Sequence, residues 1–173
     1  GDKFRYFEMQ VRGADAHSVE KKFFGLIRDV TQTRERENSL LEINLLMQEM
    51  LENLPCSVFV KDINDEGRYI ISNRHNLNVH GLRREQMVGK TDSEIFPPST
   101  AEAFIKGDQE VLEKGGVLNY LDHYVDKEGR ARVFQLYKVV LPQKTDRRLL
   151  LGISFDVTEI EKNRTELKEN VEL

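Results

Sequence analysis

One phrase is written twice in this chain, 127 positions apart. Gly25-Leu26-Ile27-Arg28-Asp29-Val30-Thr31 returns as Gly152-Ile153-Ser154-Phe155-Asp156-Val157-Thr158, while Phe7 and Met9 return as Phe134 and Leu136. Each copy is an apolar strand-like run, then Asp-Val-Thr, then a charged segment of helical composition. Solenoid units repeat about every 20–50 residues, so so long a period marks a repeated domain. Too little chain precedes the first copy to make a domain of its own. For 173 residues, and domains of roughly 100–150 residues, four parts are expected. They are the end of one domain, a connecting helix, one complete domain and the start of a second helix.

Composition narrows the partners. Charged residues make up 32% of the chain yet the net charge is −4, the opposite of a nucleic-acid footprint, so no nucleic-acid partner is expected. No apolar run reaches the ~18–20 residues of a spanning helix, and no membrane contact is expected of these residues. Cys56 stands alone, which rules out a disulfide or a cysteine zinc site within one chain and points to a reducing compartment. The expected location is the cytoplasm, with any membrane anchor elsewhere in a parent protein. A first residue that is Gly1 and not Met reads as a piece excised from a longer chain.

Residues 3–11 and 22–28 read as two strands joined by a polar loop over 13–18. Asp29 then stands where it can cap a helix, with Gln32 as reciprocal partner three residues on, and Asp156 with Glu159 repeats the arrangement. Residues 32–54 contain neither Gly nor Pro, and Leu40, Ile43, Met47, Met50 and Leu54 follow the 3-4-3-4 seam of a two-stranded coil. Pro55 ends that helix, a rod of about 33 Å. Leu41, Leu45, Leu46 and Leu51 widen its apolar stripe, so an ordinary amphipathic helix packed on its own domain is the competing reading.

Residues 57–63 and 68–72 are short β-rich runs around the turn Asn64-Asp65-Glu66-Gly67. Residues 74–80, 83–87 and 92–95 read as helical turns, with Asn73 capping the first and Asp92 starting the last ahead of Ile95 and Phe96. Pro97-Pro98-Ser99 opens a longer helix that Gly115-Gly116 closes. Strands at 117–126, 131–141 and 148–155 follow, with loops at 127–130 and around 144–146. The fold class is α+β, a five-stranded antiparallel sheet with short helices on one face, flanked by an N-terminal and a C-terminal helix.

That order, with particular local phrases, resembles the PAS domain family of intracellular sensors from Leu54-Pro55 to Thr158. The phrases are Lys61-Asp62, Arg68-Tyr69-Ile70-Ile71-Ser72-Asn73, Gly81, Val88-Gly89-Lys90-Thr91-Asp92, Phe96-Pro97, Asp108 with Val111-Leu112, Glu128-Gly129-Arg130 and Asp156-Val157-Thr158. Each alone is weak; their joint order carries the resemblance. It implies a complete PAS domain over 55–157, the C-terminal strands of a preceding one over 1–31, a connecting helix over 32–54 and the next signalling helix from 158 to 173. Gly89-Lys90-Thr91 is not a phosphate loop, because the upstream glycine that such a loop needs is missing.

The resemblance also implies a function, an intracellular sensory or regulatory module that relays a ligand or an upstream change to an output domain outside these residues. A bacterial histidine kinase is the expected output. A non-sensing dimerisation spacer, a transcription regulator and a cyclic-dinucleotide enzyme are the alternatives. The relay is expected at Asp29 and Thr31 and again at Asp156, Thr158 and Glu159, and a homodimer through the Leu40–Leu54 seam. Flavin-binding members carry an Asn-Cys motif that this chain lacks, and haem-binding members a histidine that residues 98–116 lack. No cofactor is therefore expected, though an unidentified small organic ligand fits the family's pocket between sheet and helices. Tyr120, Asp122, His123, Gln135, Tyr137 and Ser154 are the polar strand residues that could line it. No metal site is expected, since no His or Cys pair has ligand spacing. No catalytic motif is present either, and the residues after His17, His75, His80 and His123 are not acidic.

Overall fold

The computed structural model describes residues 4–14, 22–125, 129–142 and 146–171. The chain divides into two compact units, Gly1–Glu49 and Met50–Leu173. In the first, β1 (Phe7–Ala14) and β2 (Lys22–Asp29) pair antiparallel, with Phe7 opposite Asp29 and Val11 opposite Gly25. They lead into α1 (Thr31–Asn53), a helix of 23 residues with no buried side chain. Leu54, the last residue of the helix expected over 32–54, falls one residue beyond α1, because a residue before proline is driven out of the helical region. The expected loop tips at 15–18, 127–128 and 144–145 lie outside the described residues, as does His17.

The second unit contains β3 (Ser57–Asp62), a 3-10 turn (Ile63–Asp65), β4 (Arg68–Ser72), and helices α2 (Arg74–His80), α3 (Arg84–Met87), α4 (Asp92–Ile95) and α5 (Pro98–Lys114). Strands β5 (Val117–Val125), β6 (Ala131–Leu141) and β7 (Leu149–Asp156) follow, then α6 (Thr158–Val171). The strands form one antiparallel sheet in the order β4-β3-β7-β6-β5. The chain's first strand of this unit therefore pairs with its last, and β7 lies at the centre. This is the expected α+β layout.

Period-2 alternation decides which side chains face the helices. Phe59 and Lys61 of β3, Leu118 and Tyr120 of β5, Leu136, Lys138 and Val140 of β6, and Leu150, Gly152 and Ser154 of β7 share one face by register. The core there is Phe59, Tyr69, Leu77, Met87, Val111 and Leu150, with Ile95 and Phe96 packed against it. Gly152 is needed for this packing. A Cβ at that position would stand 2.1 Å from an atom of the Phe59 ring.

Two local devices aim residues at the space between sheet and helices. A bulge between Val60 and Lys61 leaves Ile70 unpaired, so that Lys61 faces Tyr69 while Phe59 faces Ser72. The extra residue turns both Tyr69 and Ser72 to the core side, a common use of bulges beside functional sites. At the free edge of β4, the Tyr69 N–H donates to Lys90 O at 2.9 Å and the Gly89 N–H to Tyr69 O at 2.8 Å. Gly89 makes this cover with φ +83°, and the Gly-Lys pair thus protects a sheet edge. Asn73 caps α2 as expected: its Oδ1 accepts from Asn76 N–H and Val58 N–H, and its Nδ2 donates to the Leu51 and Cys56 carbonyls.

Candidate functional site

Lysine has a long apolar stem and a strongly hydrated tip, so a buried ammonium demands a carboxylate partner. Two such lysines lie in the second unit. Lys61 is 1% exposed and Lys138 2%. Lys61 Nζ lies 2.5 Å from Asp92 Oδ2 and 2.7 Å from Asp108 Oδ2. Lys138 Nζ lies 2.5 Å from Asp108 Oδ1 and donates to Phe104 O at 3.4 Å. Tyr69 completes the cluster by donating its hydroxyl to Asp92 Oδ1 at 2.8 Å. The Lys61 ammonium also stands 4.7 Å from the Tyr69 ring centroid, within cation–π range.

Each member comes from a different element: β3, β4, β6, α4 and α5. The two carboxylates thereby tie the helices to the sheet. Burial depresses the Lys138 pKa, an effect partly offset by the Asp108 carboxylate. Burial raises that of Tyr69 well above the ordinary phenol range, and the Asp92 charge adds to it. Tyr120, beside this cluster, is pushed up to about 12, by burial first and by Asp122 and Asp108 after it. Tyr69 and Tyr120 are therefore neutral donors at pH 7. Among the described residues, Ser57 Oγ is the buried side-chain polar atom left without a partner.

The repeated phrase forms the same joint in both units. The Asp156 carboxylate accepts from the Thr158 N–H at 3.0 Å and from its hydroxyl at 2.5 Å. Thr158 Oγ1 in turn accepts from the Val133 N–H at 3.0 Å, and the Val157 N–H donates to Val133 O at 2.9 Å. In the first unit, Asp29 accepts from the Thr31 N–H at 3.0 Å and its hydroxyl at 2.6 Å. Thr31 Oγ1 accepts from the Tyr6 N–H at 2.9 Å, and the Val30 N–H donates to Tyr6 O at 2.9 Å. Tyr6 and Val133 are themselves 127 positions apart.

The reciprocal box expected with Gln32 or Glu159 is replaced by this shorter geometry. The carboxylate closes on the threonine two residues on, and Glu159 pairs with Lys162 at 3.2 Å. Thr158 bonds hold the Asp156 carboxyl below its ordinary value despite the opposing effect of burial, which is the largest single influence; Arg132 adds to the lowering.

The expected pocket residues divide by face. Tyr120 and Ser154 lie on the helix side by register, opposite Leu136, and Asp122 shares that side. His123, Gln135 and Tyr137 fall on the other face and do not line the space under the helices. Gln135 there bonds Asn119, and the Tyr137 ring stands edge-on to Phe155 at 6.3 Å. Asp92 starts α4 as expected, but Thr91 and Glu94 form the cap while its carboxylate turns inward to Lys61. Leu40, Ile43, Met47 and Met50 are each more than half exposed, and Leu54 is 38% exposed.

Lys61, Lys138, Asp108 and Tyr69 are absent from the sequence-based list of site residues. A signal for them exists. Lys138 occupies the same strand parity as Phe134, Leu136 and Val140, and Asp108 the same helical face as Ala101, Phe104 and Val111.

Three comparisons place this geometry among known proteins. A family model described as the PAS fold matches residues 51–162. A diguanylate cyclase from Vibrio cholerae serotype O1 is 28% identical over 121 residues, which cover 68% of this chain and 37% of the cyclase. The chain thus spans little more than a third of that relative's length. The PAS domain of Bordetella pertussis BvgS superposes with a TM-score of 0.55 at 20% identity, covering 77% of this chain and 98% of that one. VqmA of Vibrio cholerae, in a ligand and DNA complex, gives a TM-score of 0.57 at 24% identity, covering 66% of this chain and 51% of that one. With the family model matched from the end of α1 through the sheet, its covering helices and the Asp156–Thr158 joint, the chain belongs to the PAS-fold family.

Proposed function

We propose that the second unit is a sensory and regulatory module that relays ligand binding or an upstream change through Asp156-Val157-Thr158 to an output domain outside these residues. The observation that carries this reading is the recurrence of one hydrogen-bonded joint at both Asp-Val-Thr phrases. At Asp156 the joint makes one threonine hydroxyl common to two strands and a helix. A shift of β6 moves Val133, which moves Thr158, the first residue of α6. Coupling requires such an element, one whose state both sites bias.

The matching registers of β1–β2 and β6–β7 support the reading of residues 1–31 as the last strands of a preceding PAS domain. On this view 32–54 connects it to the domain of 55–157, and 158–173 opens the next signalling helix. The output is a histidine kinase or a cyclic-dinucleotide enzyme, and the diguanylate cyclase relative favours the second. On this reading the module lies in the cytoplasm beside its output domain. A small organic ligand under the helices is the input, with Tyr120 and Ser154 on the side it would contact.

The test is Asp156→Ala in the parent protein. The fold is retained, because losing a cap of this kind costs typically ~1 kcal/mol. The output activity stops responding to the input. An output that responds as before would remove the relay from this joint and favour a spacer.

A further inference from the structure

The ion cluster exceeds what the strands require. Phe7, Gly25, Asp29 and Thr31 each return unchanged 127 positions on, but the residue matching Lys138 is Val11. The two sit in the same register, Val11 opposite Gly25 and Lys138 opposite Gly152. The first copy thus pairs the same two strands around an exposed valine, so strand pairing itself does not call for a buried ammonium. Lys138 is an addition particular to the complete domain, whereas the joint is common to both copies.

The addition has the form of a receptor. Lys61 and Lys138 stand on β3 and β6, the two neighbours of β7, and converge on one carboxyl group. Each oxygen of Asp108 is held by one ammonium, at 2.7 and 2.5 Å. Two converging ammonium groups recognise a carboxylate by charge and by hydrogen bonding to both oxygens. Asp92 accepts from both Tyr69 and Lys61, so Asp108 is the carboxylate that Lys138 requires. Gly107 brings α5 close at this point. A Cβ there would stand 3.1 Å from both Lys138 Nζ and Tyr120 Oη, so the neutral Tyr120 hydroxyl adjoins the clamp as a further donor.

We propose that Lys61 and Lys138 form a receptor for a small-molecule carboxylate, with Asp108 as its built-in occupant until a ligand carboxylate takes its place. The exchange keeps the charge of the clamp, since one carboxylate replaces another between the same two ammonium groups, and the released Asp108 carboxylate is hydrated as α5 moves outward. It frees α5 from the sheet and leaves Lys138 held by a diffusible group. Lys138 lies on the strand whose Val133 bonds Thr158, so occupancy of the clamp is presented to the joint. Only this last consequence rests on the relay reading.

The test uses the 173-residue chain with acetate, pyruvate and succinate as probes, against chloride and sulfate at equal ionic strength. A carboxylate at several times its dissociation constant raises Tm by about 2–4 °C beyond the salt controls. It also shifts the amide resonances of Gly107 and Gly152, the glycines on either side of the clamp. Lys138→Met loses both responses. Asp108→Ala starts from a lower Tm and recovers more with acetate than the wild type gains; should that variant not fold, the wild-type titrations decide. Equal effects of sulfate and carboxylates, or no shift in the wild type with any probe, would overturn the receptor. Rescue confined to Asp108→Ala would overturn the exchange as well. Repeating the titration on Asp156→Ala separates this inference from the relay. Binding that survives there, with an output that ignores Asp156→Ala, keeps the receptor and loses the relay; absent binding in the wild type loses the receptor and leaves the relay standing.

Discussion

Asp108 shows how much one buried group can carry. Its two oxygens hold two ammonium groups that have no access to water, and one of these, Lys138, already has a pKa depressed by burial. Removing one partner of such a group leaves uncompensated charge, so Asp108→Ala is expected to lower unfolding free energy by about 3–5 kcal/mol. Urea unfolding followed by circular dichroism measures this, and a loss below 1 kcal/mol would mean that water reaches the cluster. Gly152 makes a second residue-scale test, because the repeat supplies its own control. A Cβ at Gly152 would enter the Phe59 ring, whereas at Gly25 nothing among the described residues stands nearer than 3.8 Å. Gly152→Ala should cost about 3 kcal/mol or more, the upper range for overpacking, while Gly25→Ala stays within about 0.5 kcal/mol. Comparable effects of the two substitutions would show that Phe59 can move aside.

At the scale of elements, the joints decide where strands stop and helices begin. The Asp156 carboxyl titrates below its ordinary value in the fold because Thr158 donates to it twice, against the pull of burial. Below the ordinary carboxylate pKa the unfolded chain takes up this proton before the folded one does. The stabilisation is therefore complete above pH ~3.8 and is lost as pH falls through the lowered folded value. Asp156→Asn should flatten the dependence of the urea midpoint on pH below about pH 4. An unchanged or steeper acid slope in the variant would show that other carboxyls control it. The strands themselves illustrate why faces were harder to read than boundaries. β5 alternates Leu118, Tyr120 and Asp122 on one side with Asn119, Leu121 and His123 on the other, so both sides mix polar and apolar groups. Pairing with β6 settles the matter by setting Tyr120 opposite Leu136 and Leu121 opposite Gln135.

For the whole molecule, α1 carries a stripe of unspent apolar surface. Leu40, Ile43, Met47 and Met50 lie on one stripe, each more than half exposed, at the spacing of a two-stranded coil. The chain is expected to sediment as a dimer, and Leu40→Asp with Met47→Asp to weaken association by more than about 2 kcal/mol. A wild-type chain that sediments as a monomer across the micromolar range would leave the stripe to another partner.

The order of elements, the sheet class and both joints were legible in the sequence because each rests on local chemistry. Alternation makes strands, Gly and Pro punctuate them, and Asp-Val-Thr marks where a strand gives way to a helix, although closure on Thr31 and Thr158 replaces the expected box with Gln32 and Glu159. The ion cluster was not legible in this way. Its members are separated by 31, 47 and 30 residues along the chain, and a bulge at Val60–Lys61 turns Tyr69 toward Asp92. No local pattern states that a lysine at a core position of β6 will meet an aspartate at a core position of α5. Only the packing of helices on the sheet brings their charges together, because only there is water absent and each ammonium obliged to find a carboxylate.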